Sequence, residues 1–220
     1  MKRFSLVLLL LLGIIGTAYS FLVSDAAGFQ APGLARIFLW HWPCTIAYSV
    51  MLFFGAYLCI QSLRTRQAHW DLRTTAALEL GAVFGIMVLA TGILFSEVEW
   101  GAFWSWDPRQ TSFLMVMLIY MAYFVLRLAI PDPQVRAASS AVYFLLSVIP
   151  QLFLIFVFPR LPQIAQQSLH PSQTIVMGLL SNDYKTAACL TLTLLLWLTG
   201  LLYRQRVRAS MLNLSLEDLP

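Results

Sequence analysis

Charge is what this chain has least of. Only 11% of its 220 residues are Asp, Glu, Lys or Arg, while 60% are hydrophobic; soluble domains carry about 25% charged residues. That balance excludes a soluble globular domain and implies an integral membrane protein. Cysteine and histidine are scarce as well, three of each. Cys44, Cys59 and Cys189 include no C-x-x-C pair, and each lies within or beside an apolar run. Buried structural thiols are expected, not a disulfide framework or a zinc site. No H-E-x-x-H and no G-x-S-x-G is present, which leaves no motif for an intramembrane hydrolase. No G-x-x-x-x-G-K-[ST] is present either, so any ATP-driven step belongs to a partner. The chain is read as not an enzyme.

What is present is a series of apolar runs. Six transmembrane helices are predicted, over 4–23, 37–62, 74–96, 110–130, 138–158 and 185–203, forming a single polytopic all-α domain across 1–220. The first run resembles a signal peptide, with Ala18-Tyr-Ser20 as a cleavage-like site. Its length is that of a span, and it is read as a retained helix. Pro150 predicts a kink in the fifth span, and 164–168 a short interfacial helical turn. The formal charge of +4 does not point to nucleic acid, because the basic residues sit in short clusters between the spans. Ten of the fourteen fall on one side: Lys2 and Arg3, then Arg64, Arg66 and Arg73, then Arg127 and Arg136, then Arg204, Arg206 and Arg208. The positive-inside rule therefore places both termini in the cytoplasm.

On this topology the tryptophan-rich segment 97–112, between the third and fourth spans, faces outward. It contains Trp100-Gly-Ala-Phe-Trp-Ser-Trp-Asp-Pro-Arg-Gln-Thr-Ser112. If helical, Trp100, Phe103, Trp104 and Asp107 share one face, with Trp106 pointing elsewhere and a helix end near Asp107 before Pro108. Two readings stand side by side: an interfacial aromatic belt, or a platform for a flat aromatic ligand. The histidines bear on the choice. His69 falls in a basic cytoplasmic loop, whereas His41 and His170 fall on the same side as the tryptophans. No histidine sits at the centre of a span, which argues against an electron-carrying b-type cytochrome. Two imidazoles beside an aromatic platform fit a haem site, with His41 and His170 as axial ligands to the iron, or are ordinary hydrogen-bonded interfacial residues. Indoles would line the porphyrin. Arg36, Arg109 and Arg160 are the outer-side arginines available to its propionates, or are ordinary interface anchors.

Trp100-Gly-Ala-Phe-Trp-Ser-Trp-Asp107 resembles the W-G-x-x-W-x-W-D signature of the haem-handling proteins of cytochrome c maturation. Arg36-Ile-Phe-Leu-Trp-His41-Trp-Pro43 resembles the R-I-x-x-x-H-x-P segment of the same proteins. With about this length and six spans, the chain resembles the CcmC family. The resemblance implies a protein of the inner membrane that binds haem b at the periplasmic face and presents it to the haem chaperone CcmE. The ABC-type subunits CcmA and CcmB and the small membrane protein CcmD would be its partners. It also implies His41 and His170 as axial ligands. Trp100, Trp104, Trp106 and Asp107 would embrace the porphyrin edge, and Phe103 stands where the family often has tryptophan. A haem exporter that moves haem across the bilayer is the alternative. So is a related cytochrome c synthase subunit, which has more spans.

Overall fold

The computed structural model describes residues 3–24, 29, 31–170 and 180–217; Lys2, most of the first loop and Pro171 lie outside them. Every regular element among the described residues is helical. Helix α1 runs Arg3–Leu22. A 3-10 turn, Ala35–Ile37, leads into α2, Phe38–Thr65. Helix α3 is Ala68–Trp100, α4 is Pro108–Ala129 and α5 is Pro133–Leu152. The α5 axis continues as a π-helical turn, Phe153–Val157, and a 3-10 turn, Phe158–Arg160. A short α6, Pro162–Ala165, follows, and α7 is Asn182–Glu217.

Each boundary has a local cause. Asp107 caps the N-terminus of α4 with Pro108 in its first turn, and Asp132 does the same for α5 with Pro133. Helix α2 ends on Arg66 at φ 54° and α3 on Gly101 at φ 72°, both left-handed C-caps. The link between α2 and α3 is therefore only two residues long. His69, Asp71 and Arg73, expected in a loop, lie in the first turns of α3.

Helix α2 is the centre of the bundle. It packs on α3, α5 and α7, while α4 bridges α3 and α5, and α1 lies outside against α7. Small residues permit close approach of α3 and α4. A Cβ on Gly81 would overlap the Tyr120 hydroxyl, and one on Gly85 would overlap the Met117 thioether. Tyr120 uses the space to donate to the Leu78 carbonyl, 3.0 Å.

Prolines inside helices leave carbonyls without their usual N–H, and in a bilayer such groups need another donor. Pro43 frees the Leu39 carbonyl, and Thr191 Oγ1 of α7 donates to it at 2.8 Å. Pro159 frees the Ile155 carbonyl, and the Arg160 guanidinium donates there at 3.0 Å. At mid-bundle the Tyr48 hydroxyl donates to Gln151 Oε1, 2.8 Å, and Gln151 Nε2 to Ser147 Oγ, 2.9 Å, all three buried.

Among the described residues, five stretches are long and apolar enough to cross a membrane: Ala35–Thr65, Ala68–Trp100, Pro108–Ala129, Pro133–Arg160 and Asn182–Leu216. The apolar part of α1, Val7–Leu22, is shorter. Large apolar side chains such as Leu128, 88% exposed, cover the outside, as a lipid-facing surface requires. Cys44 and Cys59 are buried, but Cys189 is exposed on α7, which corrects the expectation that all three are buried. It belongs to the outward face of that helix, while Ala187 and Ala188 turn inward.

Two ion pairs sit at the end of the bundle where α2 meets α3. Arg127 grips Asp71 through both guanidinium nitrogens at 2.7 and 2.8 Å, with both side chains mostly buried. Arg206 and Glu79 pair at 2.6 Å but are far more exposed. Asp71→Asn should therefore cost about 1–3 kcal/mol, and Glu79→Gln under about 1 kcal/mol. Thermal unfolding in detergent checks this ordering; equal losses would contradict it.

Candidate functional site

The N-terminal end of α2, the C-terminal end of α3, the start of α4 and the chain after α5 surround a cavity of about 350 Å³. On α2, His41, Thr45 and Ser49 line it at helical spacing. Phe38, Trp42, Phe95, Trp100 and Phe113 supply apolar walls, and Phe113 packs edge-on against Tyr48, 5.4 Å between centroids. His170 reaches the same cavity from far along the chain, together with Asp107, Arg109 and Arg160.

The tautomer of His41 follows from its hydrogen bonds. Its Nδ1 is 2.9 Å from Thr91 Oγ1. Thr91 commits its single hydrogen to the preceding turn, 2.6 Å from the Met87 carbonyl. Thr91 therefore accepts from His41, Nδ1 carries the proton, and the lone pair is on Nε2. Gly92 makes room for the ring, since a Cβ there would lie 3.2 Å from His41 Cε1.

The chain leading into His170 is held by Asp107. This carboxylate is 3% exposed and works at both oxygens. Oδ1 accepts from the Arg109 N–H, 2.8 Å, as the cap of α4. Oδ2 accepts from Ser168 Oγ, 2.9 Å, and from the Leu169 N–H, 2.6 Å. Ser168 and Leu169 are thus fixed to the end of the tryptophan-rich loop, and His170 follows directly. Its imidazole is pushed down from 6.5 to about 3, first by burial, then by the positive charge of Arg109 and the neighbouring His41. At neutral pH it is an uncharged Lewis base.

The tryptophan-rich stretch does not form the helical plate that its spacing suggests. Gly101 ends α3 directly after Trp100, and the next helix starts only at Pro108. Between them the chain is irregular, with Trp106 at φ 58°. Ser96 Oγ donates to the Ala102 carbonyl, 2.7 Å, and Gln110 Nε2 to the Phe103 carbonyl, 2.9 Å. As a result Trp100 and Asp107 line the cavity, whereas Phe103, Trp104 and Trp106 do not. Trp104 and Trp106 pack edge-to-face at 5.8 Å, and Trp106 is 75% exposed.

The three outer arginines also separate. Arg109 and Arg160 line the cavity, and Arg160 lies over the Phe156 ring, 5.9 Å from its centroid. Arg36 does not line it. Its guanidinium donates to the Gly33 carbonyl, 2.7 Å, and the Val23 carbonyl, 3.1 Å. Thr91, Gly92 and Ser168 were not apparent as site residues from the sequence. Thr91 and Gly92 lie two turns before Trp100 on the same helix, the one local hint available.

Residues 1–212 match the protein family described as CcmC, heme exporter protein C. Similar proteins carry the same description. A Bradyrhizobium diazoefficiens relative is 34% identical over 138 residues, 61% of this chain and 51% of its own length. One from Paracoccus denitrificans is 39% identical over 71 residues, 32% of this chain and 30% of its own. One from Escherichia coli K12 is 27% identical over 123 residues, 56% of this chain and 50% of its own. The matched stretches thus span about half or less of these relatives' lengths.

The lowered basicity of His170 sets a pH dependence. The unfolded chain takes up a proton near 6.5, the folded one only near 3. The stability from enclosing a neutral ring is complete above about 6.5 and is withdrawn as pH falls toward 3. The thermal midpoint should fall between pH 7 and pH 4, and fall less in His170→Gln. Identical pH slopes for the two proteins would contradict this.

Proposed function

The chain belongs to the CcmC family, and from that premise we propose that it binds haem b between His41 and His170. It presents the haem to the chaperone CcmE during cytochrome c-type biogenesis. The observation that carries the reading is that two histidines from distant parts of the chain line one cavity, the ring of His41 set by Thr91 and His170 carried on a segment anchored by Asp107.

The donor set fits the group. His41 offers Nε2 because Thr91 holds Nδ1. His170 offers a neutral ring on a segment anchored by Asp107. Apolar side chains wall the cavity, and Arg109 and Arg160 lie at it to meet anionic propionates. Haem would supply an iron that takes nitrogen ligands, and His41 and His170 would hold it. The rest is positioning by this chain. The imidazoles hold the metal, the aromatic walls exclude water, and Trp104 and Trp106 stand outside the cavity as an open surface for the chaperone. Arg36 supports the site by fixing the chain before α2.

In this reading α1 is a sixth span, both termini are cytoplasmic, and the site faces the periplasm across the inner membrane. The protein delivers haem and catalyses no reaction. CcmA, CcmB and CcmD are its partners, and ATP hydrolysis belongs to them, since no phosphate-binding loop motif occurs in the sequence.

The test is haem content by absorbance after purification. His41→Ala and His170→Ala should each lower it about tenfold or more. Gly92→Ala, which presses on the His41 ring, should lower it less. Haem content unchanged in both histidine variants would contradict the proposal. Trp104→Ala should keep the iron spectrum while slowing transfer to the chaperone; an equal loss of ligation would argue against separate roles.

A further inference from the structure

A second cavity, of about 440 Å³, lies at the opposite end of the bundle, between α2, α3 and α7. Its lining combines aromatic and cationic side chains: Tyr57, Trp70 and Tyr203 with Arg73, Arg204 and Arg208. The arginines converge from two helices. Arg204 and Arg208 are one turn apart on α7, and Arg73 reaches in from α3, its guanidinium over the Trp70 ring at 5.0 Å.

What sets these arginines apart is that three of them line one groove with no carboxylate among its described lining residues. At the same end of the bundle Arg127 pairs with Asp71 and Arg206 with Glu79. Among the described residues, Arg73, Arg204 and Arg208 have no ion pair. Three positive charges around one groove repel each other and call for an anion. The groove also opens onto the lipid-facing side, where Tyr57 is 49% exposed. An occupant would therefore have an anionic head and an apolar body.

The geometry points to a binding site for one anionic phospholipid of this leaflet, its phosphate held by Arg73, Arg204 and Arg208 and its acyl chains against α2. Basic pockets between transmembrane helices recognise such headgroups through charge-assisted hydrogen bonds. The Tyr57 and Tyr203 rings suit the headgroup level, where one end of a side chain is apolar and the other polar. Occupation would clamp α3 to α7 at the end remote from the histidines. The site is independent of the haem reading.

Native mass spectrometry of the full chain tests it, with phosphatidylglycerol, phosphatidylcholine and inorganic phosphate as probes. Phosphatidylglycerol should remain bound under activation that strips phosphatidylcholine. The triple variant R73Q/R204Q/R208Q should lose at least about tenfold of that retention. R64Q, an exposed arginine outside the groove, should keep it. If circular dichroism shows the triple variant misfolded, R204Q and R208Q, both on exposed side chains, are read singly, and each should weaken retention. Equal retention of the two lipids, retention unaffected by the arginine variants, or displacement of phosphatidylglycerol by inorganic phosphate would overturn the assignment.

Discussion

The buried carboxylate of Asp107 ties the start of α4 to Ser168 and Leu169, some sixty residues further along the chain. One oxygen starts α4, and the other holds Ser168 and Leu169. A carboxylate removed from water needs all of these donors to offset its desolvation. The same demand makes the arrangement specific, because no other acceptor can replace both oxygens at once. His170 reaches the cavity because its neighbour is one of those donors. The positions of Arg109, two residues after the carboxylate, and of the irregular tryptophan-rich loop before it follow from the same cap.

His41 depends on a parallel device inside the bundle. Pro43 weakens the first turns of α2, and Thr191 repairs the lost hydrogen bond from α7. Thr91 and Gly92 then fix the imidazole from α3. Both histidines are thus oriented by residues on other elements, so the bundle has to be assembled before the two rings share a cavity. On the opposite side of the cavity Arg160 supplies the donor that Pro159 lacks and still lines the cavity. Proline defects near the membrane surface and the groups that repair them therefore build the walls of the site.

Much of this is legible in the chain itself, for physical reasons. Apolar runs of spanning length have one stable solution in lipid, the helix. The Asp-Pro pair at 107–108, read from the sequence as a helix end, instead caps the start of α4, as Asp132-Pro133 caps α5. The bias of basic residues put His41 and His170 on one side. The tryptophan face was misread because helical spacing runs unbroken through Trp100, Phe103, Trp104 and Asp107. Gly101 breaks it, and a single left-handed residue leaves no mark in periodicity. The grip of Asp107 on Ser168 and Leu169 joins residues distant in sequence, and local pattern carries no information about such pairs. Arg36 looked equivalent to Arg109 and Arg160 until its guanidinium was seen to hold the chain before α2.

The central claim is that the Asp107 carboxylate delivers His170 to the partner of His41, and Asp107→Asn tests it directly. Asparagine keeps an oxygen to cap α4 but puts an amide where Oδ2 accepts from Leu169, so the fold is retained while the latch is lost. Electron paramagnetic resonance of the haem-loaded, oxidised protein reads the ligation. A low-spin, six-coordinate signal in the parent protein that turns high-spin in Asp107→Asn is the predicted result. A low-spin signal of unchanged intensity in Asp107→Asn would contradict the account.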